Sequence, residues 1–182
     1  MTFSRNPSSD NNSPRVITYV NIRLLSFQFS LCKDIFNYKD ISLVLFFNNN
    51  NIFFLINIYS DSSQSALKYL KDTKANICNI LVMTSNFNIR DNLWDSFCPH
   101  YLSHSNYLFE IADFFNLGLF IPTNWVSTRY SDNNQDVNSV LNLMFLCFRS
   151  DELDNHSIHL DWRLASDHVS LTIIIPIIKE YI

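Results

Sequence analysis

The chain alternates short apolar blocks with polar segments in a way that predicts several strands. Residues 15–24 (RVITYVNIRL) are rich in β-branched and aromatic residues and alternate in part, which predicts a strand. Residues 41–47 and 52–59 predict two more strands, and the four asparagines between them, 48–51, indicate the turn of a hairpin. Their nearly continuous apolar character is typical of strands that are buried on both faces.

Two other segments have the spacing of amphipathic helices. Leucines and lysines predict a helix over residues 62–72, with a serine as its N-cap, and an apolar stripe predicts a second helix over 103–117. Gly118 follows the second helix where a left-handed C-terminal residue is expected. Further short strands are predicted at 79–84, 139–148 and 171–178. Strands and helices in this mixed order predict an α/β fold.

Length and composition narrow the class of protein. A chain of 182 residues is the size of one domain, which we assign to residues 15–182 after a flexible polar tail, 1–14. The net charge of −4 argues against a basic protein that holds nucleic acid by charge alone. The sequence has one glycine, which excludes the glycine-rich phosphate loops of dinucleotide-binding and Walker-type proteins.

The cysteines and the apolar stretches indicate where in the cell the protein is located. The four cysteines are far apart and form no CxxC pair, which excludes zinc ribbons and thioredoxin-like sites and favours reduced thiols in an intracellular protein. The strongest apolar stretch, 41–59, is interrupted by asparagines, and each flank is shorter than the roughly 20 residues that a bilayer requires. We therefore expect no membrane association.

Two polar segments next to predicted strands carry the candidate chemistry. Residues 83–91 (MTSNFNIRD) follow the end of an apolar strand, which is where open α/β sheets place their ligands. Residues 164–171 contain a Ser-Asp-His triplet just before another apolar strand. An aspartate beside a histidine can hold a hard cation through oxygen and present an imidazole to a phosphate. Such a triplet is weak by itself, because Asp-His pairs are common in loops.

The two polar segments belong to a series of six sequence blocks, and the order of these blocks along the chain is more informative than either segment alone. Together they resemble the endonuclease/exonuclease/phosphatase (DNase I-like) family, and more narrowly the endonuclease domain of non-LTR retrotransposons. The blocks are 52–61, 81–88 (family pattern G-D-F-N), 113–119, 122–131, 139–145 (family pattern S-x-I-D-L) and 161–168, which ends in S-D-H. The resemblance implies a DNase I-like four-layer α/β/β/α sandwich, here missing its first strands.

The resemblance also implies a reaction, a cofactor and partners. Members of the family hydrolyse phosphodiester bonds with Mg²⁺, which implies DNA as the substrate, a reverse transcriptase domain in the parent element and a nuclear location. The histidine of the family contacts the scissile phosphate. Carried over by motif, the metal ligands are Asp167 and Asn88. The full set of implied catalytic positions is His168, Asp167, Asn88, Tyr59, Asn86 and Asn142.

Two of these positions depart from the family pattern. Asn86 stands where the family has the aspartate of G-D-x-N, and Asn142 stands where it has the aspartate that orients the histidine. An amide keeps the shape of a carboxyl group but carries no negative charge and takes up no proton. Each Asp→Asn change requires a single G-to-A substitution. The family's early strand with its glutamate would lie before residue 15. We therefore predict a truncated, degenerate copy with weak or no activity.

Two alternative functions stay open at this point. The first is a non-catalytic relic or binding module that keeps the fold and some contact with nucleic acid. The second is a phosphatase of the same family that acts on small phosphoesters. The changes at Asn86 and Asn142 favour the first alternative over an efficient enzyme, and the block order favours the nuclease lineage over the phosphatase lineage.

Overall fold

The computed structural model describes ten stretches of the chain. They are residues 2–5, 15–20, 27–48, 51–73, 77–91, 93–95, 105–120, 142–147, 156–159 and 170–173. Their strands are β1 (Thr2–Arg5), β2 (Ile17–Val20), β3 (Gln28–Leu31), β4 (Ile41–Phe47), β5 (Ile52–Tyr59), β6 (Ile80–Asn86), β7 (Gly118–Phe120), β8 (Asn142–Leu146), β9 (His156–His159) and β10 (Ser170–Ile173). Their helices are α1 (Ser65–Thr73) and α2 (Ser105–Phe114).

A mixed six-stranded sheet organises the fold. Its strand order is β3-β4-β5-β6-β8-β7, with β5 and β6 parallel and the other neighbours antiparallel. Two further antiparallel pairs, β1–β2 and β9–β10, lie outside this sheet. The mixture of helices with a mixed sheet confirms the predicted α/β class.

The hairpin predicted around the asparagine turn is confirmed with its bounds. β4 pairs with β5 from Ile41↔Ile58 to Phe47↔Ile52. The amide N–H of Asn48 donates to the carbonyl of Asn51 (2.9 Å), and the amide N–H of Asn51 donates to the side-chain oxygen of Asn48 (2.8 Å). Asparagine thus closes the turn with both its backbone and its side chain, a task that often falls to glycine.

One face of the sheet packs against both helices. The residues buried there share apolar side chains that alternate along the strands, as expected when one face of a strand meets a helix layer. They include Ile41, Leu43, Ile56, Ile58, Met83 and Phe145 from the sheet, and Ala66, Leu67, Leu70, Leu108, Ile111 and Ala112 from the helices. Neither α1 nor α2, the two helices of the described residues, has the length and apolar character that a membrane span requires.

The opposite face of the sheet packs against β2. Val20 is buried with Val44 and Phe46 of β4. The hydroxyl of Thr18 donates to the hydroxyl of Ser42 across the same layer (3.1 Å between the oxygens). The six-stranded sheet therefore has helices on one face and a second β layer on the other.

The first residues of the chain differ from the predicted tail. Thr2–Arg5 forms β1 and pairs antiparallel with β2, with Thr2 opposite Val20 and Arg5 opposite Ile17. The pairing depends on hydrogen bonds to a distant strand, which the polar composition of this segment does not reveal. Residues 6–14 lie outside the described residues.

The end of α2 corrects the role predicted for Gly118. The left-handed residue is Asn116, with φ of 56°, and Gly118 begins β7 without a positive φ. The amide N–H of Leu117 donates to the carbonyl of Ala112 (2.8 Å), and that of Asn116 donates to Asp113 (3.0 Å). These two bonds form a Schellman motif, and asparagine tolerates its left-handed position better than other residues with a side chain.

This helix end yields a stability prediction. Asn116→Ala should lower the free energy of unfolding by about 1–2 kcal/mol, because alanine pays the full steric cost of the left-handed region. Gly118→Ala is the matched control, since the added Cβ would meet nothing closer than the carbonyl oxygen of Leu146 at 3.9 Å. Urea denaturation of both variants checks this, and equal losses would contradict it.

Candidate functional site

Three of the predicted site residues occupy neighbouring positions at one edge of the sheet. Tyr59 ends β5, Asn86 ends β6 and Asn142 begins β8. In the backbone register Tyr59 is opposite Asn86, and Asn86 is opposite Asn142. Residues from three separate blocks of the sequence therefore stand side by side on adjacent strands.

The segment after β6 folds into a short side-chain-stabilised turn. The side-chain oxygen of Asn86 accepts the amide N–H of Asn88 (3.1 Å), as in an Asx turn, and Asn88 is left-handed with φ of 49°. Phe87 between them is completely buried and meets Phe145 edge to face at 6.0 Å between ring centroids. The buried ring anchors the turn, so the two asparagines are held at a fixed place beside the end of β6.

Asn88 also connects the ends of the two parallel strands. Its side-chain nitrogen donates to the carbonyl of Ser60, which follows β5, over 2.7 Å. The amide N–H of Ser60 in turn donates to the carbonyl of Asn86 (3.0 Å). Because the partner of the Asn88 side chain is a carbonyl oxygen, this position requires a donor, and an ionised aspartate could not replace it.

A charged cluster beside Tyr59 was not predicted from the sequence. We call Arg15, Asp40 and Asp61 the Arg15 cluster. The guanidinium of Arg15 donates through Nε and Nη2 to the two carboxylate oxygens of Asp40 (2.8 and 2.5 Å) and through Nη2 to Asp61 (3.0 Å). Its central carbon lies 4.5 Å from the centroid of the Tyr59 ring. The cluster therefore borders the same sheet edge as the predicted residues.

The electrostatics of the cluster follow from these bonds. A hydrogen bond from the hydroxyl of Ser63, reinforced by Arg15, lowers the pKa of Asp61 to about 2. The hydrogen bond to Asp40 is the largest influence that raises the pKa of the Arg15 guanidinium. Each charge of the cluster is thus stabilised by an opposite charge or by a hydrogen-bond donor.

The lowered pKa of Asp61 predicts how the free energy of unfolding changes at acid pH. Since this pKa lies below its ordinary value of 3.8, the stabilisation is complete above that value and is lost as the pH falls towards about 2. The loss should amount to about 1 kcal/mol, because a partly exposed ion pair is screened by water. Urea denaturation between neutral and acid pH measures it, and Asp61→Asn should flatten this part of the profile. An unchanged profile in that variant would contradict the assignment.

The remaining predicted residues lie outside the described residues. This holds for Asp167 and His168, and Asn142 is described by its backbone position alone. The roles that the resemblance implies for Asp167 and His168 therefore stay predictions.

The described part of the edge does not by itself form a magnesium site. Among the described residues, no group of three or more His, Cys, Asp or Glu side chains could hold a metal ion. The two carboxylates of the Arg15 cluster, those of Asp40 and Asp61, are both bound by Arg15, and the side chains of Asn86 and Asn88 are neutral amides. Mg²⁺ is usually held through one or two carboxylates, and here those carboxylates are already engaged.

The fold and this edge define a class of protein. A mixed sheet with helices on one face and a second β layer on the other is an α/β sandwich, and its likeness to a solved structure identifies it as the DNase I-like type. Among solved structures, the chain is similar to the endonuclease domain of TRAS1, a telomere-specific non-LTR retrotransposon. The TM-score is 0.73 at 14% identity, over 96% of this chain and 80% of that chain.

Comparisons with family models and with curated proteins identified no further relative. No family model matches the chain, and no curated protein is similar to it. At 14% identity the structural likeness establishes the fold, and it confirms at that level the resemblance that the six sequence blocks indicated.

Proposed function

We propose that the chain is a degenerate copy of a non-LTR retrotransposon endonuclease domain that cleaves DNA phosphodiester bonds weakly. The observation that carries this proposal is the register of Tyr59, Asn86 and Asn142 on adjacent strands of a retrotransposon endonuclease fold. The sequence motifs supply these three residues, and the backbone register makes them neighbours at one edge of the sheet.

The chemistry at Asn86 supports weak activity. Its amide oxygen accepts the backbone N–H of Asn88, so the residue shapes the turn as a carboxylate would. It cannot take a proton from an attacking water molecule or place a negative charge beside a metal ion. The copy therefore keeps the geometry of the turn and lacks its acid–base function.

The cofactor and the partners belong to the same proposal. Mg²⁺ would be the divalent cation, with Asp167 and Asn88 as the ligands implied by the sequence resemblance and His168 as the group at the phosphate. The bond from Asn88 to Ser60 uses its amide nitrogen, so any metal contact would go through its amide oxygen. A reverse transcriptase domain in the parent element and a nuclear location complete the proposal.

A plasmid-nicking assay tests this function. Supercoiled DNA is incubated with the purified chain and Mg²⁺, and open circles are counted against a His168→Ala variant prepared in the same way. We expect slow nicking that the variant lacks. Nicking at the same rate in both proteins would indicate a contaminating nuclease and contradict the proposal.

A non-catalytic DNA-binding module is the second candidate, and the neutral amide at Asn86 is the observation that favours it. This function predicts DNA binding without nicking. The affinity should be low, because the net charge of the chain is −4, and it should fall as the salt concentration rises, because added salt weakens contacts with phosphates. Fluorescence anisotropy with a labelled duplex at two salt concentrations measures it. Release of phosphate from a small phosphoester would instead favour the phosphatase alternative.

A further inference from the structure

Tyr59 is held from two sides by groups outside the sequence motifs. Its amide N–H donates to the carbonyl oxygen of Asp40 (2.9 Å), and the guanidinium of Arg15 covers its ring at 4.5 Å from the centroid. Asp40 is completely buried and forms a two-bond ion pair with Arg15. One residue, Asp40, therefore fixes both the backbone of Tyr59 and the cation above its ring.

The charge of Arg15 is already neutralised within the cluster. Two carboxylates, those of Asp40 and Asp61, accept hydrogen bonds from one guanidinium. An arginine that binds a phosphate needs free donors directed at the phosphate oxygens. With two anions in place, Arg15 is suited to orienting its neighbours and poorly suited to binding DNA.

We infer that Arg15, held by Asp40, is a positioning residue that sets the orientation of the Tyr59 ring at the site edge. The inference rests on the proposed function, in which Tyr59 belongs to the catalytic set. A planar guanidinium can form the two-bond pair with Asp40 and stack on an aromatic ring at the same time. The compact ammonium of a lysine cannot do both. Arg15→Lys therefore keeps the positive charge and removes the combination of a two-bond pair with Asp40 and stacking on the Tyr59 ring.

Tyrosine ring resonances give a readout that does not depend on activity. The full chain is labelled with ¹³C in its tyrosine rings, and Tyr59→Phe identifies the Tyr59 signals. Arg15→Lys should shift these signals, and Asp40→Asn should shift them in the same direction. Tyr107, whose ring lies 4.5 Å from the ammonium of Lys71, is the internal control and should not change. Tyr59 signals at their wild-type positions in both variants would overturn the inference.

Nicking rates provide the second readout. Arg15→Lys and Tyr59→Phe should each lower kcat about 10-fold and leave KM within twofold, and the double variant should lose no more than either single variant. Losses that multiply in the double variant would show independent roles and overturn the inference. If no protein nicks DNA, wild type included, the proposed function fails, while the ring resonances still decide whether Arg15 orients Tyr59.

Asp40→Asn allows the inference to be tested even if Arg15→Lys does not fold. Asparagine keeps one acceptor for the guanidinium, and Arg15 keeps its pair with Asp61. Thermal unfolding of each variant is measured first, and ring signals are compared in the variants that unfold cooperatively. A wild-type Tyr59 signal in a folded Asp40→Asn protein would by itself contradict a role for the ion pair.

Discussion

Replacing both Asn86 and Asn142 by aspartate should raise the rate of plasmid nicking by about 1,000-fold. The gain is large because loss of the aspartate that orients a catalytic histidine costs about 10⁴-fold in rate in the serine proteases. Asn86→Asp should also fold, since a carboxylate can accept the same N–H of Asn88 that the amide oxygen accepts now. The measurement is the conversion of supercoiled to open-circular plasmid in Mg²⁺.

A charge-matched control separates chemistry from net charge. Asn79→Asp with Asn116→Asp adds the same two negative charges at left-handed positions away from the site edge, with φ of 62° and 56°. Asn79 immediately precedes β6, at the end of that strand opposite to Asn86. Nicking by the site variant that does not exceed that of the control would contradict the catalytic assignment of Asn86 and Asn142.

The elements that the sequence predicts most closely are those with a strong local pattern. The bounds of β4 and β5 agree residue by residue, because each strand is a nearly continuous apolar run and asparagines close the turn between them. β3 was not predicted, since Gln28–Leu31 alternates exposed and half-buried positions at the edge of the sheet. Edge strands bury little apolar surface, so their sequence pattern is weak.

The order of the predicted strands along the chain was enough to place two of the site residues near each other. Tyr59 and Asn86 were placed at strand ends by the apolar runs before them, and parallel pairing of β5 with β6 then makes them neighbours. The predicted strand ended at residue 84, whereas β6 continues through Asn86. The strand continues because Asn86 pairs with Asn142 of β8, a contact that no local pattern reveals.

The Arg15 cluster shows what sequence reasoning misses. Arg15 and Asp40 are 25 residues apart, and neither belongs to a motif or an amphipathic stripe. Asp40 looks like an ordinary polar residue before a strand, yet its side chain is fully buried. A buried carboxylate needs a partner, but which arginine supplies it is decided by tertiary packing.

Arg15→Met should lower the free energy of unfolding by about 3 kcal/mol. Removing one partner of a buried ion pair leaves the other charge without compensation in a medium of low polarity, which is strongly destabilising. Here the remaining charge would be the carboxylate of Asp40, whose side chain is 0% exposed. Urea denaturation at neutral pH measures the loss.

Two comparisons identify the cause of that loss. Lys71→Met removes a partner of the ion pair with Glu110, in which the two side chains are 38% and 54% exposed, and should cost much less stability than Arg15→Met, because water screens an exposed pair. Arg15→Met combined with Asp40→Leu should regain most of the lost stability, because no charge is then left buried. If Arg15→Met costs no more than Lys71→Met, or if the double variant is the least stable of the set, the uncompensated charge of Asp40 is not what makes the Arg15 cluster stabilising.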